Sequence, residues 1–235
     1  MDSGLYNAIG AMNGNQNALS IISHNLANLN THGYKRRTPN AEQFAALTNF
    51  GQAKALGTNA VVDFGQGDLE VTGSPFHLAL EGDGMFAAES PEGEVYTRYG
   101  AFTIDDNGTL VTEDGYPLAW EERLIDFDPM GPPPTVDTDG QVTQGPVVNG
   151  RLKIAAFENP ARLREVAGGY WSPTRETPPA EPTAVVRQGR LERSNSTGIV
   201  ELLQMIETQR AYEVAAKTVR SIDQSYQALN QSQRG

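Results

Sequence analysis

Apolar residues recur every seven positions at both ends of this chain, and no such repeat runs between them. Near the start, Leu5, Met12, Leu19 and Leu26 are seven apart, with Ile22 and Leu29 at the companion position of the heptad. Near the end, Met205, Tyr212, Val219 and Tyr226 repeat the spacing, with Ala215, Ile222 and Leu229 beside them. A 3.5-residue apolar period is the signature of helices that pack along a narrow seam, so two helices in need of partners bracket the chain. The first, capped by Asp2 or Ser3, is expected from about residue 3 to 31, ~43 Å long, with Gly33 as its left-handed stop. The second follows the capping cluster Ser194-Asn195-Ser196-Thr197, and Gly198 leaves its first turn loose. Ile199, Leu202, Leu203 and Ile206 widen its apolar stripe beyond what one seam covers.

The middle of the chain has a different grammar. HLALEGDGMFAAESPEGEVYTRYGAFTIDDNGTLVTEDGYPLAW alternates short apolar runs with Glu-Gly, Asp-Gly and Asn-Gly, the signal of consecutive β-hairpins, and Asp106-Asn107-Gly108 is the clearest turn. Strands resume as VTQGPVVNGRLKIAAFE after DPMGPPPTVDTDG, which reads as a surface loop. Residues 35–72 lack strong periodicity and read as an extended connector. The expected order is an N-terminal helix over 1–34, the connector over 35–72, a β-rich domain over 73–188 and a C-terminal helix over 189–235. This is an α+β chain in which an all-β domain is inserted between two long helices that must meet.

Charge narrows the function. Of a net charge of -11, residues 63–140 carry -16, with 18 Asp and Glu against 2 Arg, and the rest of the chain carries +5. So acidic a centre repels phosphate backbones and argues against nucleic-acid binding. No cysteine is present, which removes disulfides and thiolate metal sites. Residues 1–34 hold no Lys or Arg, so a basic secretory leader is not expected, and no run is long and apolar enough to span a bilayer.

The stretch SHNLANLNTHGYKRR joins these features. Asn25, Asn28 and Asn30 sit where amides can fix the register of a helical seam or cap its end, and Lys35 is the first cation in the chain. Gly33, Tyr34, Lys35 and Arg36 form the exit from the helix, with Arg37 completing a basic cluster. That cluster is placed either as a solvated patch beside the negative end of the helix dipole or in ion pairs with the acidic β domain of the same or a neighbouring chain.

Catalytic patterns are absent. His24, His32 and His77 stand in no metal-binding motif, and EGDGMF lacks the spacing and context of a phosphate loop, so neither a cofactor nor a metal is expected. Glu81 with Asp83, or Asp105 with Asp106, are turn acids before they are an acid–base pair. TIDDNGTLVTED and DTDG resemble calcium loops only in their first residues, without the twelfth-position glutamate.

NLANLNTHGYKRR, LALEGDGMFA with VYTRYGAFTIDDNGTLVTEDGYPL, and GRLERSNSTGIVELLQMIETQRAYEVAAKTV, taken in that order, resemble the signatures of flagellar basal-body rod and hook proteins. Ser196-Thr197-Gly198 departs from the pattern, in which relatives usually carry an apolar and an acidic residue. Within the family the opening MDSGLYNAIGAM and the modest length look most like the proximal-rod branch, with the distal-rod branch the close competitor.

The resemblance implies terminal helices paired as a coiled-coil-like tube domain, with the β domain outside it. It also implies a structural subunit of an axial rod that transmits torque, encloses an export channel and has no enzymatic activity. The implied partners are other rod subunits and the flagellar type III export apparatus, with no nucleic acid and no membrane insertion. The implied location is the basal body in the periplasm, reached without a cleaved signal. Leu5, Met12, Leu19, Ile22, Asn25, Leu26, Asn28, Leu29, Leu202, Met205, Ile206, Tyr212, Val219, Ile222, Tyr226 and Leu229 are then the intersubunit helix contacts. A secreted oligomeric adhesin with a glycan-binding β domain is the reading from another class, which an aromatic-lined groove would favour.

Overall fold

The computed structural model describes residues 2–39, 60–128 and 130–232; the middle of the expected connector, 40–59, and the side chains of Asp2, Ser3 and Leu229 lie outside the described residues. The chain forms two compact units. A helical unit is drawn from Met1–Asn28, Arg36–Asp63 and Ser196–Gly235, and a β unit from Leu29–Lys35 and Phe64–Asn195.

In the helical unit, α1 (Asp2–Ala27) packs on α2 (Gly198–Ser232), and the short antiparallel ribbon of Arg37–Pro39 with Ala60–Val62 lies against α1. The helices are ~39 and ~52 Å long at 1.5 Å per residue. Their most buried side chains are Ala8, Ala18, Ile21, Ile22 and Asn25 on α1, with Glu201 and Ala215 on α2. Leu5, Met12, Leu19 and Leu26 are only half-buried, while Leu202 and Ile206 are exposed.

The expected tube of long, paired coiled-coil helices is therefore corrected. The described residues hold one helix at each end and otherwise mostly β-hairpins. The heptad leucines are not the buried positions of these helices, and Asn25 of α1 hydrogen-bonds Glu201 of α2. The helix exit also differs. α1 ends at Ala27, and the His24 carbonyl accepts both the Asn28 backbone N–H at 3.2 Å and the Asn28 side-chain amide at 2.8 Å. Gly33 (φ 67°) is a turn residue six positions beyond the helix, not its cap.

In the β unit, five antiparallel strands run in the order Ile154–Ala155, Met85–Ser90, Gly93–Thr97, Tyr170–Ser172 and Arg164–Ala167. A four-stranded sheet is ordered Thr135–Val136, Gln141–Gln144, Val147–Leu152 and Trp120–Arg123. Two further pairs close the unit over long sequence separations: Leu78–Glu81 with Val185–Gln188, and Leu69–Val71 with Arg190–Glu192. Leu78, Leu80, Phe86, Phe102, Val142 and Leu152 form the centre of the core, with Phe86 and Phe102 edge to face at 5.2 Å.

The hairpin turns are built locally. The Asp105 carboxylate accepts the backbone N–H groups of Asn107 and Thr109 at 3.0 and 2.7 Å, ahead of Gly108 at φ 74°. Asp137 does the same for Asp139 and Gln141 ahead of Gly140. The acids that suggested calcium are thus spent on their own turns.

Candidate functional site

Each unit holds one buried charge network, and both draw on the stretch Asn25 to Arg37. In the β unit, Glu192 ends the strand Arg190–Glu192 and is buried, as are Lys35 and Arg98. Lys35 Nζ lies 2.7 Å from Glu192 Oε1 and donates to the Gly65 carbonyl at 2.8 Å. Arg98 Nη1 lies 3.1 Å from Glu192 Oε2, and its Nη2 donates to the Gly82 carbonyl at 2.6 Å. The Gly67 amide donates to Glu192 Oε1 at 2.9 Å. Two cations on one carboxylate leave a surplus positive charge, which the carbonyls of Gly65 and Gly82 solvate in place of water.

Gly33 seals this network from the chain side. Its N–H donates to the Glu192 carbonyl at 2.7 Å, and a Cβ at Gly33 would stand 2.5 Å from the Arg98 carbonyl carbon. Both the positive φ and the close backbone approach require glycine here.

In the helical unit the corresponding carboxylate is Glu201, in the first turn of α2, where the helix dipole favours a negative charge. Arg36 Nε lies 2.5 Å from Glu201 Oε1, and Arg36 Nη2 donates to Gln204 Oε1 at 2.8 Å. Ser196 Oγ donates to Glu201 Oε1 at 3.1 Å. Asn25 Nδ2 donates to Glu201 Oε2 at 3.1 Å and to the Arg37 carbonyl at 2.7 Å, while Asn25 Oδ1 accepts the Arg37 N–H at 3.0 Å. Asn25 and Glu201 are both 0% exposed. One amide thus ties α1, the following ribbon and α2 in a single register.

Of the residues singled out from the sequence, Asn25, Gly33, Lys35 and Arg36 converge on these two networks, and Tyr34 is buried beside them in the chain. Ile22 is buried on α1; Met205, Tyr212, Val219, Ile222 and Tyr226 are half-buried on α2, and Asn28 and Leu29 are half-buried beyond α1. Sequence reasoning missed Glu192, Glu201 and Arg98. The signal for Glu201 was present: it is the acid of the first helical turn, in GIVELL. Glu192 and Arg98 carry no local mark.

Other side chains singled out from the sequence are engaged locally. His77 Nδ1 is 2.8 Å from Thr72 Oγ1, and its pKa is lowered by burial and by nearby His32. Glu81 is ion-paired with Arg187 at 2.6 Å. A cleft of about 410 Å³ is lined by Glu89, Asp105, Trp120 and Arg123, but Asp105 serves its own turn and Arg123 is paired with Asp126. Among the described residues no group of side chains is placed to hold a metal ion, and no helix is long and apolar enough to cross a membrane.

Among the described residues, the two networks bind buried charges from distant parts of the chain to one another, the work of a structural element. Comparison with known proteins agrees. Residues 5–35 match the family described as Flagella basal body rod protein. Residues 79–144 match the Flagellar hook protein FlgE/F/G D1 domain, and residues 187–232 match the Flagellar basal body rod FlgEFG protein C-terminal family. The Caulobacter vibrioides flagellar basal-body rod protein FlgF is 34% identical over 225 residues, covering 92% of each chain. The FlgG protein of Buchnera aphidicola from Schizaphis graminum is 32% identical over 248 residues, 91% of this chain and 93% of that one. The FlgF protein of Mesorhizobium japonicum is 30% identical over 224 residues, 94% and 93% of the two chains.

The chain belongs to the flagellar basal-body rod protein family, and it is a structural subunit of the rod in the flagellar basal body.

Proposed function

We propose that this chain occupies the proximal part of the rod, where it transmits motor torque and helps enclose the export channel. Alignment economy carries the reading. The FlgF relatives cover 92% and 94% of the 235-residue chain in 225 and 224 aligned positions, whereas the Buchnera FlgG relative takes 248 to cover 91%. That FlgG relative therefore holds segments with no counterpart here, and we take FlgF as the proximal-rod branch and FlgG as the distal-rod branch. On this reading the neighbours are other proximal and distal rod subunits, the route is the flagellar type III export apparatus without a cleaved signal, and the location is the periplasm. The division into helix, connector, β domain and helix then serves axial stacking, and the apolar seams of α1 and α2 face neighbouring subunits. No catalytic step is involved.

Tomography of basal bodies from a strain lacking the gene tests this proposal. Rods interrupted at their cytoplasmic-side segment are expected; rods with that segment complete, lacking only the outer part, would transfer the chain to the distal rod.

A further inference from the structure

Asparagine is followed by glycine three times, at Asn13-Gly14, Asn107-Gly108 and Asn149-Gly150. This pairing is the one most open to spontaneous loss of the side-chain amide, because glycine has no Cβ to keep its backbone nitrogen from the preceding side-chain carbonyl. The three pairs sit in different surroundings. Gly14 lies inside α1, where its amide belongs to the helical ladder. Asn149, in the strand Val147–Leu152, is buried, and its Nδ2 donates to the carbonyls of Ile125 and Asp126 at 3.3 and 3.4 Å. Asn107 has an exposed side chain at the tip of the hairpin formed by Thr103–Ile104 and Leu110–Val111, open to water and base.

One residue holds that tip. Asp105 Oδ1 accepts the backbone N–H groups of Asn107 and Thr109 at 3.0 and 2.7 Å, and Asp105 Oδ2 accepts Asn107 Nδ2–H at 3.2 Å. The Asp105 carbonyl accepts the Gly108 N–H at 3.0 Å, and the Asp105 N–H donates to the Thr109 carbonyl at 2.9 Å. Ring closure requires the Gly108 nitrogen to reach Asn107 Cγ. Both reacting groups are turned to Asp105 instead, the Gly108 N–H to its carbonyl and the Asn107 amide to its carboxylate. We propose that Asn107 is a latent deamidation site and that Asp105 is the positioning residue that suppresses the reaction there.

In that reaction the Gly108 nitrogen gives its proton to base and bonds to Asn107 Cγ. The Cγ–Nδ2 bond breaks, and ammonia leaves with a proton from solvent. Water then opens the ring at either carbonyl, leaving an aspartate or an isoaspartate whose backbone is longer by a methylene. The Thr109 N–H bond, with those from Asn107, holds the Asp105 carboxyl below its ordinary value against desolvation, so the acceptor stays charged at the neutral and alkaline pH that favours the reaction.

The fold gains from this restraint. A Cβ on Gly108 would stand 2.4 Å from the Phe127 carbonyl oxygen, and the Gly108 carbonyl accepts the Phe127 N–H at 3.2 Å. Phe127 belongs to the buried core, so a longer backbone at position 107 pushes Gly108 against a core residue. Either product also replaces a donor to Asp105 with a negative charge beside Asp105 and Asp106.

The buried Asn149-Gly150 pair serves as an internal control. Full-length parent, Asp105→Ala and Asp106→Ala chains are held at mildly alkaline pH, and the peptides containing Asn107 and Asn149 are followed by mass. Loss of the bonds to Asp105 is expected to raise conversion at Asn107 about tenfold in Asp105→Ala, with Asn149 unchanged and Asp106→Ala like the parent. Asp105→Ser keeps an oxygen for the turn amides but does not reach the Asn107 side chain, and should fall between parent and Asp105→Ala. Conversion at Asn107 that is the same in parent, Asp105→Ser and Asp105→Ala overturns the proposal. So does acceleration in Asp105→Ser that is equal at Asn107 and Asn149, because the substitution then opens the whole unit rather than releasing one turn.

Discussion

Lys35 and Arg36 are consecutive in the chain, yet each gives its charge to a different buried carboxylate: Lys35 to Glu192 at 2.7 Å in the β unit, and Arg36 to Glu201 at 2.5 Å in the helical unit. The basic cluster is therefore neither a solvated helix end nor a loose surface patch. It is the point at which each unit anchors the passing chain.

Glu192→Gln removes the carboxylate that Lys35 and Arg98 share in their ion pairs. Breaking such a buried pair costs about 3–5 kcal/mol. Both tryptophans, Trp120 and Trp171, lie in the β unit, so their fluorescence during denaturant unfolding reads this unit alone. An unchanged midpoint would show that the network contributes nothing to stability.

Asn25→Leu deletes the amide that joins Arg37 and Glu201 while keeping side-chain size. Each buried group left without a partner costs about 1–3 kcal/mol, so hydrogen exchange across α1 should accelerate markedly while tryptophan fluorescence stays as in the parent. Equal protection of α1 in both chains would rule out the tie.

Two glycines separate conformation from crowding. Gly115 has φ 82° and open space where a Cβ would go, whereas Gly33 has φ 67° and backbone at 2.5 Å. Gly115→Ala should lose about 1–2 kcal/mol through left-handed strain alone. Gly33→Ala must also shift the Arg98–Tyr99 backbone and should be clearly worse in the same denaturant titration. Equal losses would contradict the close approach.

Alkali should act through tyrosines. Burial, then the hydrogen bond to Glu113 and its charge, push the Tyr99 hydroxyl up to about 12. Burial and Glu94 likewise raise Tyr96. The folded chain holds these protons more tightly than the unfolded one, so their contribution is complete below the ordinary value of about 10 and is lost as pH rises toward about 12. The denaturation midpoint should fall through that window, and less steeply in Tyr99→Phe. Identical slopes would remove Tyr99 from the account.

Leu19 is half-buried on α1 in the single chain. If the seam faces neighbouring subunits, Leu19→Asp places a charge in that contact, at a cost of several kcal/mol where water is excluded. Swimming should be lost while the tryptophan signal of the β unit is retained; normal swimming would separate the seam from assembly.

Local chemistry made part of this molecule legible. Heptad spacing marks helical segments at both ends, and Asx-Gly pairs mark turns, because each depends on residues a few positions apart. Asp105 organises its turn through Asn107 and Thr109, and Asp137 through Asp139 and Gln141, with nothing distant required. The same spacing misled about packing. A period of seven locates an apolar stripe but not its partner: the buried positions are Ala8, Ala18, Ile21, Ile22 and Asn25 on α1 with Glu201 and Ala215 on α2, while Leu202 and Ile206 are exposed.

What only the tertiary structure decided is which charges meet. Asn25 reaches Glu201 across 176 positions and Lys35 reaches Glu192 across 157. Nothing near Glu192 in the sequence marks it as buried. It becomes a buried counterion because the strand Leu69–Val71 pairs with Arg190–Glu192 and Leu78–Glu81 with Val185–Gln188, closing the β unit over Lys35 and Arg98. Periodicity and turn chemistry act along the backbone and can be read from it. Desolvation of a charge depends on chain closure at long range, and so the partners of Lys35 and Arg36 appear only once the chain has folded.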